Sequence, residues 1–286
     1  MEQCLAVAII HGMGSYDPDF ADDIIAKLQK YFPEKVTRDQ LDRAKLVIKP
    51  IYWAEIPHAK EEAVWQDVVA SGEMNETDLR RFIFDLAGDT LAYQPSKGRR
   101  GLYLDVHKQI TETFCELAEE AGEDVPLCIV AHSLGTVVAQ NFLYDMQNDM
   151  QDTSKLIERG TPLERGETLA LFCTYGSPLA IWRLRFGDEY KAIDFPGHAL
   201  EQLYPNLQAK WYNLYDKDDV LGYPISNLTE HYAQLVKDGY LEDQPVSVGN
   251  IFTTWNPMSH LGYFNDDNEI DKLAGFLADI WKGAYG

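Results

Sequence analysis

The chain has 286 residues, 45% of them hydrophobic and 25% charged, which is length and apolar content enough for one large core. Its formal net charge of −21 opposes phosphate backbones and anionic bilayers, so nucleic acid is not an expected partner and the carboxylates read as solubility. No stretch approaches the roughly 20 apolar residues that span a bilayer. Glu2 and the short apolar run 5–10 do not read as a signal peptide, so a cytoplasmic location is expected. Cys4, Cys115, Cys128 and Cys173 lack metal-ligand spacing and read as free thiols.

In chain order, β-rich runs fall at 5–10, 45–52, 127–131, 169–175, 210–215 and 246–253, with helical patterns near 20–31, 103–121, 134–146 and 269–281. This alternation predicts an α/β fold: a mostly parallel central sheet of about six to seven strands with helices on both faces. A single domain is expected over residues 1–286. Residues 53–101 exceed what a crossover needs, and Leu79, Phe82, Ile83, Leu86, Thr90 and Tyr93 recur there at helical spacing, which predicts a helical insertion or cap. The stretch 176–208 is rich in aromatics, with Trp182, Phe186, Tyr190, Phe195 and Tyr204. Either segment could roof a site, or simply complete the core.

The apolar run Leu127-Cys128-Ile129-Val130 stops at Ala131-His132-Ser133-Leu134-Gly135 and gives way at once to a helical pattern. That puts the Ser133 hydroxyl on a tight strand-to-helix turn, at the positive end of the helix, as a candidate nucleophile. Small residues are needed two before and two after the serine. Gly135 meets the demand, and Ala131 departs from the glycine usual at the first position. An oxyanion needs backbone N–H donors. Leu134 follows the nucleophile and offers one, and Met13, bracketed by Gly12 and Gly14 after the first strand, is expected to offer the second.

A serine needs a base. Of seven histidines, His260 follows the last strand candidate and precedes the closing helix, where it can swing over Ser133. His132 adjoins the serine but is expected to point away from it, and His11 is expected to organise the turn after the first strand. For the acid that orients the base, Asp216, Asp218 and Asp219 crowd the end of the fifth strand. Aspartate followed by one residue and then valine favours Asp218, with Asp219 second and Asp216 third. Trp182 and Phe186 are candidate acyl-pocket residues. No metal-ligand spacing or dinucleotide fingerprint is complete, so no metal or organic cofactor is expected.

With His11-Gly12, Ala-His-Ser133-Leu-Gly, Tyr175-Gly-Ser-Pro-Leu179, Asp218-Asp-Val220 and Ser259-His260 with Tyr263 in this order, the chain resembles an α/β-hydrolase of the lipase/esterase type. The resemblance implies a triad at the carboxyl edge of the sheet and hydrolysis through an acyl-enzyme. It also implies that the family's usual first two strands are absent. The expectation is a serine hydrolase of small-molecule carboxylic esters. The alternatives are a thioesterase or acyltransferase using the same groups, or a non-catalytic relative that binds a ligand or partner in the same cleft.

Overall fold

The computed structural model describes residues 2–12, 17–72, 75, 77–93, 100–149, 153–157, 160–187, 190–248, 260 and 262–286. Its six strands are β1 (Gln3–Ile10), β2 (Ala44–Ile51), β3 (Leu127–His132), β4 (Leu169–Tyr175), β5 (Lys210–Asp216) and β6 (Leu241–Val246). All neighbouring pairs are parallel, in the order β2-β1-β3-β4-β5-β6. The continuous apolar runs are central. Every residue of β3 and β4 is buried, as a strand covered on both faces requires. The edges carry the polar residues: Lys45 and Lys49 on β2, and Glu242, Asp243, Gln244 and Pro245 on β6.

That edge chemistry corrects one expectation. The sixth strand was expected at 246–253, but β6 shares only Val246 with that run. Ser247 and Val248 lie outside the strand, and 249–253 fall outside the described residues. Apolar content finds buried strands. An edge strand of Leu-Glu-Asp-Gln-Pro-Val has little of it.

The chain steps from β1 to β2 through α1 (Asp22–Lys35), then back past β1 to β3 through α4 (Arg100–Ala121). Right-handed crossovers in opposite directions place these helices on opposite faces. α5 (Leu134–Gln147) links β3 to β4 in the same sense as α4 and packs against it. The closing helix (Asp267–Tyr285) lies along α1, with Lys35 bonded to Asp271 at 2.7 Å and Trp281 Nε1 donating to Gln3 O at 2.7 Å. The direction reverses between β1 and β3, and the carboxyl ends of strands around such a reversal form a crevice.

Between β2 and α4 the insertion forms α2 (Glu55–Ala70) and α3 (Thr77–Ala92). Arg81 ties the pair together through Glu62 at 2.7 Å and Asp85 at 2.8 Å, beside Trp65 packed on Phe84. Its end is anchored in the core. Tyr93, fully buried, donates to His107 Nε2 at 2.9 Å, and His107 Nδ1 donates to Thr153 Oγ1 at 2.9 Å. Thr153 and Tyr103 in turn donate to Asp145 at 2.8 and 2.9 Å. Of the residues read at helical spacing, Tyr93 faces the core while Ile83 is exposed.

One close approach lies where α5 starts beneath the end of β1. A Cβ added at Gly135 would stand 2.3 Å from His11 O and 2.9 Å from Ile10 Cγ2, the residue after β1 and its last one. Gly135→Ala is therefore expected to lower the unfolding free energy by about 1–3 kcal/mol in urea titrations with an unchanged slope. Gly275, inside the closing helix with open space at its Cβ position, provides the control, and Gly275→Ala is expected to gain about 0.5–1 kcal/mol.

Candidate active site

Ser133 occupies the single residue between β3 and α5 and adopts φ 52°, ψ −129°, a backbone conformation that costs a non-glycine residue about 1–3 kcal/mol. The surroundings hold it there. Its N–H donates to Tyr175 O at 2.9 Å, while its carbonyl accepts from Thr136 N at 2.9 Å and from Thr136 Oγ1 at 2.7 Å. Thr136 Oγ1 is also bonded to Ser177 Oγ at 2.8 Å, which joins the first turn of α5 to the loop after β4.

Three side chains form one line of hydrogen bonds. Ser133 Oγ stands 2.6 Å from His260 Nε2, and His260 Nδ1 stands 2.9 and 3.0 Å from the two carboxylate oxygens of Asp219. Asp219 also accepts from Leu221 N at 2.9 Å and from the Tyr263 hydroxyl at 2.8 Å. Burial alone would raise its carboxyl, but the bonds from His260, Leu221 and Tyr263 outweigh that and hold it below the usual carboxylate range. A charged carboxylate only accepts, so Nδ1 carries the imidazole proton and donates it in a hydrogen bond, leaving a bare Nε2 toward the serine hydroxyl. Ser133 and His260 are each only 1% exposed, so this exchange is shielded from bulk water.

The carboxylate on His260 is thus Asp219, the second choice from sequence, and not Asp218. Asp218 is exposed, and its N–H donates to Asp216 Oδ1 at 2.8 Å. Asp216 bonds the backbone two residues on, as turn aspartates do, and also accepts from Val248 N at 2.7 Å. This turn carries the chain round so that Asp219 points inward. Space for its carboxylate comes from two glycines: a Cβ at Gly222 or Gly176 would stand 2.6 or 2.9 Å from Asp219 Oδ2. Gly176 also has φ +54°, which favours glycine in its own right.

On the other side of Ser133 lies the loop leaving β1. A Cβ at Gly12 would be 2.7 Å from Ser133 Cβ, so only glycine lets the backbone pass this near. Leu134, the first residue of α5, has an N–H that the helix cannot use internally. Met13, the expected second donor, lies outside the described residues. His11 ties the end of β1 to the start of the insertion. Its Nδ1 donates to Gly12 O at 2.8 Å, its Nε2 accepts from Trp53 N at 3.0 Å, and its ring stacks on Trp53 at 5.2 Å.

Trp53, Tyr93 and Trp182 form an aromatic wall, with centroids 6.5 Å apart for Trp53–Tyr93 and 6.2 Å for Tyr93–Trp182. Trp182 is buried on α6 (Leu179–Phe186), and the side chain of Phe186 lies outside the described part of the structure. Trp53 carries no functional reading in the sequence, and Tyr93 only one of helical spacing within the insertion. Their shared signal is position, at the two ends of the insertion. Among the described residues, no cluster of histidine, cysteine and acidic side chains could hold a metal ion, and no helix is long and apolar enough to cross a membrane.

No protein-family model matches the chain, and no curated protein does. Among solved structures, it is similar to a soluble variant of monoglyceride lipase from Saccharomyces cerevisiae in complex with a substrate analogue. The two share 14% identity over 95% of this chain and 87% of that one, with a TM-score of 0.35. The functional reading therefore rests on the geometry.

Three histidines are buried as neutral imidazoles. Burial pushes His11, His107 and His132 each down to about 3. In the unfolded chain each takes a proton near pH 6.5, so the unfolded state binds more protons throughout the window between. Their stability contribution is full above pH 6.5 and is lost toward pH 3, by up to about 1.4 kcal/mol per histidine per pH unit. Urea midpoints are expected to fall steadily from pH 7 to pH 5, and a flat profile would contradict the neutral assignments.

Proposed function

We propose that the protein is a serine hydrolase that cleaves small-molecule carboxylic esters through an acyl-enzyme. The observation that carries this reading is the buried line Asp219–His260–Ser133, with the serine on a strained turn at a helix N-terminus. Ser133 Oγ attacks the ester carbonyl as its proton passes to His260 Nε2, and Asp219 stabilises the imidazolium. The carbonyl oxygen becomes an oxyanion held by the N–H of Leu134 and, from the loop after Gly12, that of Met13. Collapse expels the alcohol, which takes the proton from His260. Water, deprotonated by the same imidazole, then releases the carboxylic acid and regenerates Ser133.

In this reading the chain is one domain, the insertion helices roof the site, and the acyl group meets the aromatic wall containing Trp182. No step calls for a metal or organic cofactor.

Incubation with a fluorophosphonate tests the nucleophile. Intact mass is expected to rise by one adduct in the native chain and not at all in Ser133→Ala. A well-folded native protein that stays unlabelled would count against the hydrolase and for a binding relative. The acid is tested separately with p-nitrophenyl esters. Asp219→Asn leaves the wrong tautomer facing the serine and is expected to cut kcat by about 10⁴-fold. Asp218→Asn, at an exposed position, is expected to stay within about twofold.

A further inference from the structure

His132 precedes the nucleophile and points away from it, yet it is buried to 3% exposure, where a polar ring needs partners. Its Nε2 lies 2.6 Å from the backbone carbonyl oxygen of His260. A carbonyl only accepts, so His132 Nε2 carries a proton and donates, and burial keeps the ring neutral. Its ring lies 4.9 Å from that of His260 and is flanked by Tyr263 at 5.6 Å and Phe264 at 5.3 Å. Its Nδ1 faces Gly12, where a Cβ would stand 3.3 Å from it.

We propose that His132 is a positioning residue that fixes the backbone of the base, and that adjacent residues of one turn thereby clamp His260 at two points. Ser133 engages the imidazole and His132 engages the carbonyl of the same residue. The reason is geometric. His260 is supplied from beyond β6 at the sheet edge, whereas Ser133 stands at the centre, so nothing in the sheet register relates the two. Asp219 restrains the ring of His260 through Nδ1, and a bond from the His132 ring, on the nucleophile's own strand, restrains its main chain. The same ring fills the space beside Gly12, so the base and the loop over the serine are spaced by one side chain.

The proposal rests on the hydrolase reading and predicts a definite pattern. His132→Phe keeps a ring among Tyr263 and Phe264 but removes the donor. It is expected to lower kcat at least tenfold with KM within twofold, and to slow fluorophosphonate labelling in proportion. His132→Gln, whose amide nitrogen reaches the place of Nε2, is expected to recover most of the loss, and His132→Asn, whose amide falls short, is not. Full kcat in the Phe variant, or equal loss in the Phe and Gln variants at unchanged thermal midpoint, would overturn it. Should the Phe variant not fold, the Gln and Asn pair decides. An ¹⁵N-histidine spectrum at pH 7 is independent of catalysis: the Nε2–H tautomer is expected for His132, and an Nδ1–H tautomer refutes the clamp. An unlabelled native protein that still shows the Nε2–H tautomer rejects the hydrolase while leaving the bond in place.

Discussion

Everything at the site depends on two backbones passing at van der Waals distance. The exit of β1 crosses over the start of α5, and neither Gly12 nor Gly135 has room for a Cβ. That contact puts Gly12 on one flank of Ser133 and the N–H of Leu134, which its own helix cannot use, on another. It also forces the serine into positive φ. The strain is local and the restraint is not, because the bonds that hold Ser133 come from β4 and from the first turn of α5. A turn with so many partners cannot relax by moving one of them. Its hydroxyl is consequently presented in one direction, which a nucleophile on an ordinary loop would have to find against entropy.

The second constraint is that polar groups in a dry site must be paired. Asp219 illustrates it. Its carboxylate is buried and accepts from an imidazole, a backbone N–H and a phenol, in a space cleared by Gly176 and Gly222. Leaving such a group unpaired would cost far more than any one of its bonds returns. The four histidines near or beneath the site are sorted by the same rule. His11 donates through Nδ1 to its own loop, His107 donates through Nδ1 beneath the insertion, and His132 donates through Nε2 to the base. Only His260 presents an acceptor nitrogen to the serine. The division of labour follows from which partner each ring meets, since the residues are chemically identical.

This explains what the sequence could disclose. Strands β1, β3 and β4 are readable because burial on both faces leaves long apolar runs, and Gly135 because a strand-to-helix turn has a recognisable steric demand. Leu241–Val246 was not readable as a strand. At an edge, hydrogen bonding and neighbours replace hydrophobicity, and Pro245 even argues against it locally. The choice between Asp218 and Asp219 was likewise beyond reach, since both stand at a strand end within reach of a loop histidine. What decides it is the turn built on Asp216, which exposes one and buries the next. His132 was excluded from the reaction by its direction, correctly for the serine. Its bond to the His260 carbonyl depends on a contact across 128 positions, and no local pattern encodes that.

Electrostatics limits the esters that suit such a centre. In the proposed reaction an imidazolium forms between the Asp219 carboxylate and the oxyanion, so charge alternates along the line. His11 and His132 are held neutral by burial and add no positive charge. Stabilising the oxyanion therefore falls to backbone N–H groups and the amino end of α5. These donors are fixed in direction and serve one oxygen. They have nothing to spare for a second anion on the substrate. The exterior, with a net charge of −21, would repel an anionic acyl group before it arrived. In the proposed reaction a neutral ester is therefore the substrate that this arrangement of charge favours.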